Sequence, residues 1–387
     1  MHPIIGQVHR IFENEFGGQP VYVVRAPGRV NLIGEHTDYN QGFVFPAAID
    51  RWAVLATKPR FDKRVRIYSA THNEIAEFDM NKPLEAEKNW ADYMKGVVRE
   101  FIKLGYDLCG FDAVIVGNVP VGTGLSSSAA FEMAVGKSLM VLNGIEIKAP
   151  DLALLGQRAE NQFVGVNCGI MDQFISANGR AGHALFLDCR DLSFEHVPLS
   201  QKEVRIVICN SGVTRRLTSS AYNERRLACE GGVECLKAVI GKSINALRDV
   251  SLLALDTYRG VLSHEVYRRC HHVIAENTRT KQAVDLLKAG DVAGFGKLMV
   301  ASHESLRDDY DVSGKELDLL VELALKVPGV LGARMTGAGF GGCTVAMVET
   351  HAIDHLMATV KELYTQTTQL NPEVYVCEAV NGAELVH

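Results

Sequence analysis

PVGTGLSSSAA, spanning Pro120–Ala130, follows the apolar run Phe111–Val116 and leads into a helix-forming stretch from about Ser127 to Leu142. Strand, glycine-rich loop and helix in that order make a phosphate site. Phosphate oxygens need several N–H donors at short range, and Gly122 and Gly124 let the backbone come close and turn sharply. Thr123, Leu125, Ser126 and Ser127 add amides, and the following helix adds free N–H groups and the positive end of its dipole. The hydroxyls of Ser126, Ser127 and Ser128 can bond phosphate or hold a metal ion. A plain Gly/Ser turn with a serine N-cap uses the same letters, but the flanking strand and helix favour the phosphate reading.

Two familiar nucleotide loops are excluded. A Walker loop requires glycine five residues ahead of Gly136-Lys137-Ser138, and Phe131 stands there. Gly337-x-Gly339-x-x-Gly342 has the dinucleotide spacing, yet it runs into the strand-like Cys343–Val348 and opens no helix. The surrounding ARMTGAGFGGC (Ala333–Cys343) is either a second backbone cradle or a tight turn between strands.

Working outward, APGRVNLIGEHTDYNQG (Ala26–Gly42) gathers Arg29, Glu35, His36, Asp38 and Tyr39 between glycines. Such a loop suits a polyhydroxylated ligand, because carboxylates accept hydrogen bonds from hydroxyls. A solvated turn joining two strands fits the residues equally well. Glu160 falls on a helix that opens with Asp151 as N-cap and runs to about Phe163. Asp172 follows in a glycine-broken loop beside Ile170, Met171 and Phe174. A metal–nucleotide phosphotransferase needs oxygen ligands for the ion and a carboxylate near the acceptor hydroxyl.

The rest of the chain frames these segments. The first eighty residues read as strand-rich (Val21–Val24, Phe43–Ile49, Trp52–Thr57, Val65–Tyr68), with Lys63, Arg64 and Arg66 on the wet face of a strand. A helix is expected over Trp90–Leu104, from apolar residues at helical spacing. Strands are expected at Ala184–Leu187 and Val204–Cys209, then mainly helices, two strands around Gly337–Gly342, a helix near Ile353–Thr365 and a last strand, Val374–Val376. The shift from strand-rich to helix-rich sequence divides the chain into residues 1–203 and 204–387.

At 387 residues, 47% hydrophobic and 22% charged, the chain has the apolar content to fold as two domains or one large unit. A net charge of -6 with interleaved signs argues against a nucleic-acid partner. No apolar run approaches bilayer length and no secretory leader is evident, so a membrane role is excluded and a cytoplasmic location expected. Nine cysteines without CxxC pairing are expected to be reduced and mostly buried.

Three segments in this order resemble the GHMP small-molecule kinases, and most closely their galactokinase branch. They are GRVNLIGEHTDYNQG (Gly28–Gly42), PVGTGLSSSAA and MTGAGFGGC (Met335–Cys343); AENQFVGVNCGIMDQ (Ala159–Gln173) and AYNERR (Ala221–Arg226) add to the likeness. The resemblance implies an α+β, two-domain GHMP kinase fold. Its N-terminal mixed α/β domain resembles the second domain of ribosomal protein S5, its C-terminal domain is ferredoxin-like, and the active site lies in the cleft between them. It implies ATP-dependent phosphorylation of galactose at the C1 hydroxyl. By position, Asp172 is the base and Arg29 stabilises it and the transferring group. Glu35, His36, Thr37, Asp38 and Tyr222 meet the sugar, and Gly122–Ser128 meet ATP. Ser128 and Glu160 hold Mg2+. The partners are galactose and MgATP, and a monomer is expected. Similar proteins often carry glycine where this chain has Ala338, a departure expected to be tolerated. A kinase for a related sugar (N-acetylgalactosamine or arabinose) and a non-catalytic galactose/ATP sensor are the alternatives; the intact Ser126–Ala130 run weighs against the sensor.

Overall fold

The computed structural model describes residues 3–199, 202–213 and 218–387, with the side chains of 218–220 excepted. Its early strands are β1 (Tyr22–Asn31), β2 (Phe43–Val44), β3 (Pro46–Arg60), β4 (Arg64–Ser69), β5 (Glu74–Asp79) and β6 (Gly110–Gly117). Next come β7 (His183–Asp188), β8 (Phe194–Pro198) and β9 (Val204–Asn210). The later strands are β10 (Val330–Thr336), β11 (Cys343–Glu349), β12 (Glu373–Cys377) and β13 (Glu384–Leu385).

The first sheet runs β13-β1-β3-β6-β4-β5 and is antiparallel except for the β4–β6 pair. Strand alternation sorts its side chains onto two faces. Val54, Ala56, Val114 and Val116 meet Ile4, Ile5, Val8 and Phe12 of the helix Pro3–Phe16. Leu55, Ala113 and Ile115 meet the larger layer that includes Met133, Val135 and Phe174. That first helix departs from the strand-rich reading of the opening eighty residues. Its apolar residues recur at helical spacing on one stripe, and the sheet's second face needs cover.

The second sheet, β10-β11-β9-β12, is antiparallel throughout. With the helices between β9 and β10 and between β11 and β12, it reads βαββαβ, the ferredoxin-like order. Leu320, Val321 and Ala324 of the helix Lys315–Leu325 pack on it with Leu356, Val360 and Tyr364. A further core, with Cys229, Val273, Leu306 and Tyr310, joins the long helices Thr218–Ile240 and His264–Lys288. The chain end leaves this half: β13 hydrogen-bonds to β1, so a strand beyond β12 completes the first sheet.

Other differences are local. Asp151 lies in the first turn of the helix Ala149–Ala159; Lys148 is its N-cap, because proline at the helix start fixes the entry earlier. The helix then widens into a π-type turn at Glu160–Val164. Phe43–Ile49 and Trp52–Thr57 form the short β2 and one long β3. Among the described residues no disulfide forms; five of the nine cysteines are buried and Cys235 is exposed. Among the described residues, no helix is long and apolar enough to cross a membrane.

Candidate active site

A cavity of about 560 Å³ opens between the two halves of the chain. One wall is the Gly/Ser loop. The helix Ser127–Asn143 begins with no side-chain cap: Ser126 holds a left-handed backbone (φ 61°) and turns its hydroxyl to the Asp172 carboxylate. The first-turn amides are therefore left for an anion. Gly122, Gly124, Ser126, Ser127 and Ser128 line the cavity. Leu125 does not; its side chain is core, and its carbonyl accepts the Arg29 N–H at 3.0 Å. Thr123 donates to the Pro120 carbonyl and is also off the wall.

Arg29 comes from β1 just past a break in register between Pro27 and Arg29. Its side chain is 6% exposed, and Nε and Nη2 each donate to Asp172 at 2.8 Å; Nη1 donates to the Gly124 carbonyl. Such a two-pronged pair fixes direction as well as charge. Asp172 is not in a loop but in the first turn of the helix Met171–Asn178, where the helix dipole favours a carboxylate.

Facing them are Glu35, His36, Asp38, Tyr39 and Tyr222. His36 Nδ1 and the Tyr39 hydroxyl are 2.7 Å apart, and Tyr39 bonds Tyr310 at 2.9 Å. The Tyr222 ring packs on His36 and Tyr39. Burial, with His272 beside it, pushes His36 well below its ordinary pKa, leaving a neutral imidazole to bond hydroxyls. Burial and the Asp172 charge raise Asp38 to about 7. Gly169 makes room for Asp38, since a Cβ there would stand 1.8 Å from Asp38 Oδ2. Thr37 is fully buried, and its hydroxyl donates to the Gly34 and Phe43 carbonyls. It shapes the loop and does not line the cavity.

Glu160 sits at the first residue of the π-type turn, with the Ser128 hydroxyl beside its carboxylate. Burial and the Asp172 charge lift it to about 7. Glu132, one helical turn after Ser128, is buried beside it, and Gln173 Nε2 bridges them at 2.9 and 2.5 Å. Burial and the Glu160 charge hold Glu132 well above the usual carboxylate range. Buried carboxylates that burial drives to hold a proton can exchange it for a hard divalent cation. Among the described residues no three His, Cys, Asp or Glu groups converge as a full ligand cage.

Sequence reasoning passed over Glu132, Gln173, Cys168, Tyr93 and Tyr310. Glu132 carried a signal, as a carboxylate four residues from Ser128 in a helix whose only other charged residue is Lys137. Tyr310 had none, because it arrives from far along the chain. The glycine cluster is the turn between β10 and β11. Gly337, Gly339, Gly341 and Gly342 (φ 82–118°) and Phe340 (φ 58°) take its left-handed positions; Ala338 is not among them, so its Cβ meets no backbone penalty. Gly337 and Ala338 reach the cavity wall.

The galactokinase galactose-binding signature matches residues 10–59, the GHMP kinases N terminal domain residues 92–180, and the GHMP kinases C terminal residues 283–366. A galactokinase of Chloroflexus aggregans is 48% identical over 384 residues, 99% of this chain and 98% of that protein. One from a Roseiflexus species is 46% identical over 377 residues, covering 97% and 96%. The crystal structure of Lactococcus lactis galactokinase complexed with galactose superposes with a TM-score of 0.94 at 37% identity, covering 98% of this chain and 99% of that one. Methanococcus jannaschii mevalonate kinase shares the fold, with a TM-score of 0.66 at 18% identity over 94% and 99%.

Proposed function

Because this chain belongs to the galactokinase family of GHMP kinases, we propose that it transfers the γ-phosphoryl group of ATP to the C1 hydroxyl of D-galactose. The products are galactose 1-phosphate and ADP. The observation that carries this reading is the Arg29–Asp172 pair, lining one cavity with an uncapped glycine-rich helix start and with Glu35, His36, Asp38 and Tyr222.

Phosphoryl transfer passes through a loose, charge-spread transition state, so positioning and electrostatics supply most of the acceleration. The amides from Gly122 to Ser128 receive the phosphates. Ser128 and Glu160 would hold the magnesium ion that accompanies ATP, and the bound ion neutralises phosphate charge. Asp172 accepts the proton of the attacking hydroxyl. Arg29 orients Asp172 through both carboxylate oxygens and meets charge building on the transferred group. Ser126 serves Asp172 through its hydroxyl and the nucleotide through its backbone. Glu35, His36, Asp38 and Tyr222 hold the sugar. The division at 203/204 belongs to this reading, with β13 returned to the first half. So do a monomeric state and a cytoplasmic setting, the latter favoured by cysteines that form no disulfide among the described residues.

The test is ADP release from ATP and Mg2+ against a panel of monosaccharides. Galactose is expected to lead. Equal or greater turnover of N-acetylgalactosamine or arabinose would reassign the substrate within the same chemistry. Binding of ATP and galactose without ADP release would refute the kinase reading.

A further inference from the structure

The helix His264–Lys288 carries a stripe that is buried yet polar. His272 and Glu276 have no exposure and Asn277 has 4%. Residues four apart share a helix face, so His272 and Glu276 look the same way. Their partners lie in the first half of the chain. Glu276 Oε1 accepts the N–H groups of Gly34 at 2.9 Å and Glu35 at 3.2 Å. His272 Nε2 donates to the Glu35 carbonyl at 3.1 Å, and Asn277 Oδ1 accepts the Phe43 N–H at 2.8 Å. Arg334 of β10, fully buried, adds bonds to the Asn31 carbonyl at 2.9 Å and the Glu35 carboxylate at 2.8 Å.

A carboxylate this deep is costly unless its neighbours satisfy it. Glu276 is also held by Ser302 at 2.6 Å and Arg279 at 2.7 Å. Burial opposes its charge, but Arg279, His272 and Arg334 keep its pKa down at about 2. The loop it grips is strained: His36, directly after the gripped peptides, holds a left-handed backbone at φ 61°. A non-glycine residue keeps that conformation only where its surroundings over-determine it.

We infer that Glu276 and His272 are positioning residues: they hold the Gly34–His36 turn so that Glu35, His36 and Asp38 enter the cavity in sugar-binding geometry. The inference rests on the reading of that wall as the sugar side. It makes acceptor affinity depend on a helix that contributes no residue to the cavity wall.

The test titrates galactose, and separately ADP with Mg2+, into wild type and Glu276→Gln by calorimetry, with amide exchange followed at Gly34 and Glu35. Losing a buried charged acceptor is expected to weaken galactose by about tenfold or more, with ADP affinity unchanged and faster exchange at both amides. Unchanged galactose affinity, or parallel loss of both ligands, overturns the inference. If Glu276→Gln does not fold, His272→Ala and His272→Gln replace it. Alanine weakens galactose, while glutamine, whose amide N–H reaches the same carbonyl, restores it; equal affinities overturn the inference. Wild type that ignores galactose would refute the substrate, not the positioning. The titrated sugar is then the one that drives ADP release, and should none do so, slow exchange at Gly34 and Glu35 in the variant overturns the inference by itself.

Discussion

Replacing Asp172 by asparagine separates chemistry from architecture. The side chain keeps its outline but loses its charge, and one oxygen that accepts from Arg29 at 2.8 Å becomes an NH2 group. As a positioned base, Asp172 is worth about 10²–10⁴-fold in rate, or about 2.7–5.4 kcal/mol of barrier at 1.36 kcal/mol per tenfold. On the folding side, hydrogen bonds to a charged group contribute about 1.5–3 kcal/mol. The Asp172 side chain is 28% exposed, so solvent screening moves that cost to the lower end. Chemistry therefore loses more than folding. The expected protein is folded, binds galactose and MgATP, and scarcely turns over. A coupled ADP assay gives kcat and both KM values, and a urea titration gives the stability change. A folded variant that keeps kcat to within about threefold, under 1 kcal/mol of barrier, would refute the proton-acceptor role.

The remaining predictions concern the metal, the sugar wall and pH. Ser128→Ala and Glu160→Gln should each raise the free Mg2+ needed for half-maximal rate, Glu160→Gln more; a Mg2+ titration at fixed ATP reads both. Gly169→Ala should push Asp38 out of place and raise the galactose KM with little change in that for ATP, since misplacement by about 1 Å can cost about 10²-fold. Ala338→Gly should leave kcat/KM unchanged, because this position does not need a left-handed backbone. Asp38 is raised from 3.8 to about 7 by burial, so the folded state binds its proton more tightly than the unfolded chain does. Its contribution is unpenalised below about 4 and becomes progressively unfavourable up to about 7. Asp38→Asn should therefore gain urea resistance relative to wild type at pH 8 and none at pH 4.

How much of this could be read from the letters follows the range of each interaction. The phosphate loop is local: glycines at 122 and 124, serines behind them and a strand ahead suffice. The placement of Arg29 beside Asp172 came through family likeness, since 143 residues separate them. Asp151 was misplaced because proline two positions into a helix outcompetes a downstream aspartate for the start. Family likeness places Thr37 against the sugar, but its hydroxyl is consumed by its own loop. The polar stripe of His272, Glu276 and Asn277 reads as a solvated helix face until the chain is folded. A buried polar face and a wet one have the same periodicity.

The pairing of β13 with β1 has a consequence for how the protein is made. Arg25, next to the start of the chain, is bonded to Glu384, almost at its end. A ribosome releases the first sheet's β1 edge long before the residues of β13 emerge, so that edge's main-chain groups stay unpaired over that interval. The first half, with its glycine-rich loop, therefore completes its sheet only once β13 has been made. Breaking β13 by Leu385→Pro should raise aggregation during expression more than it lowers the turnover of molecules already folded.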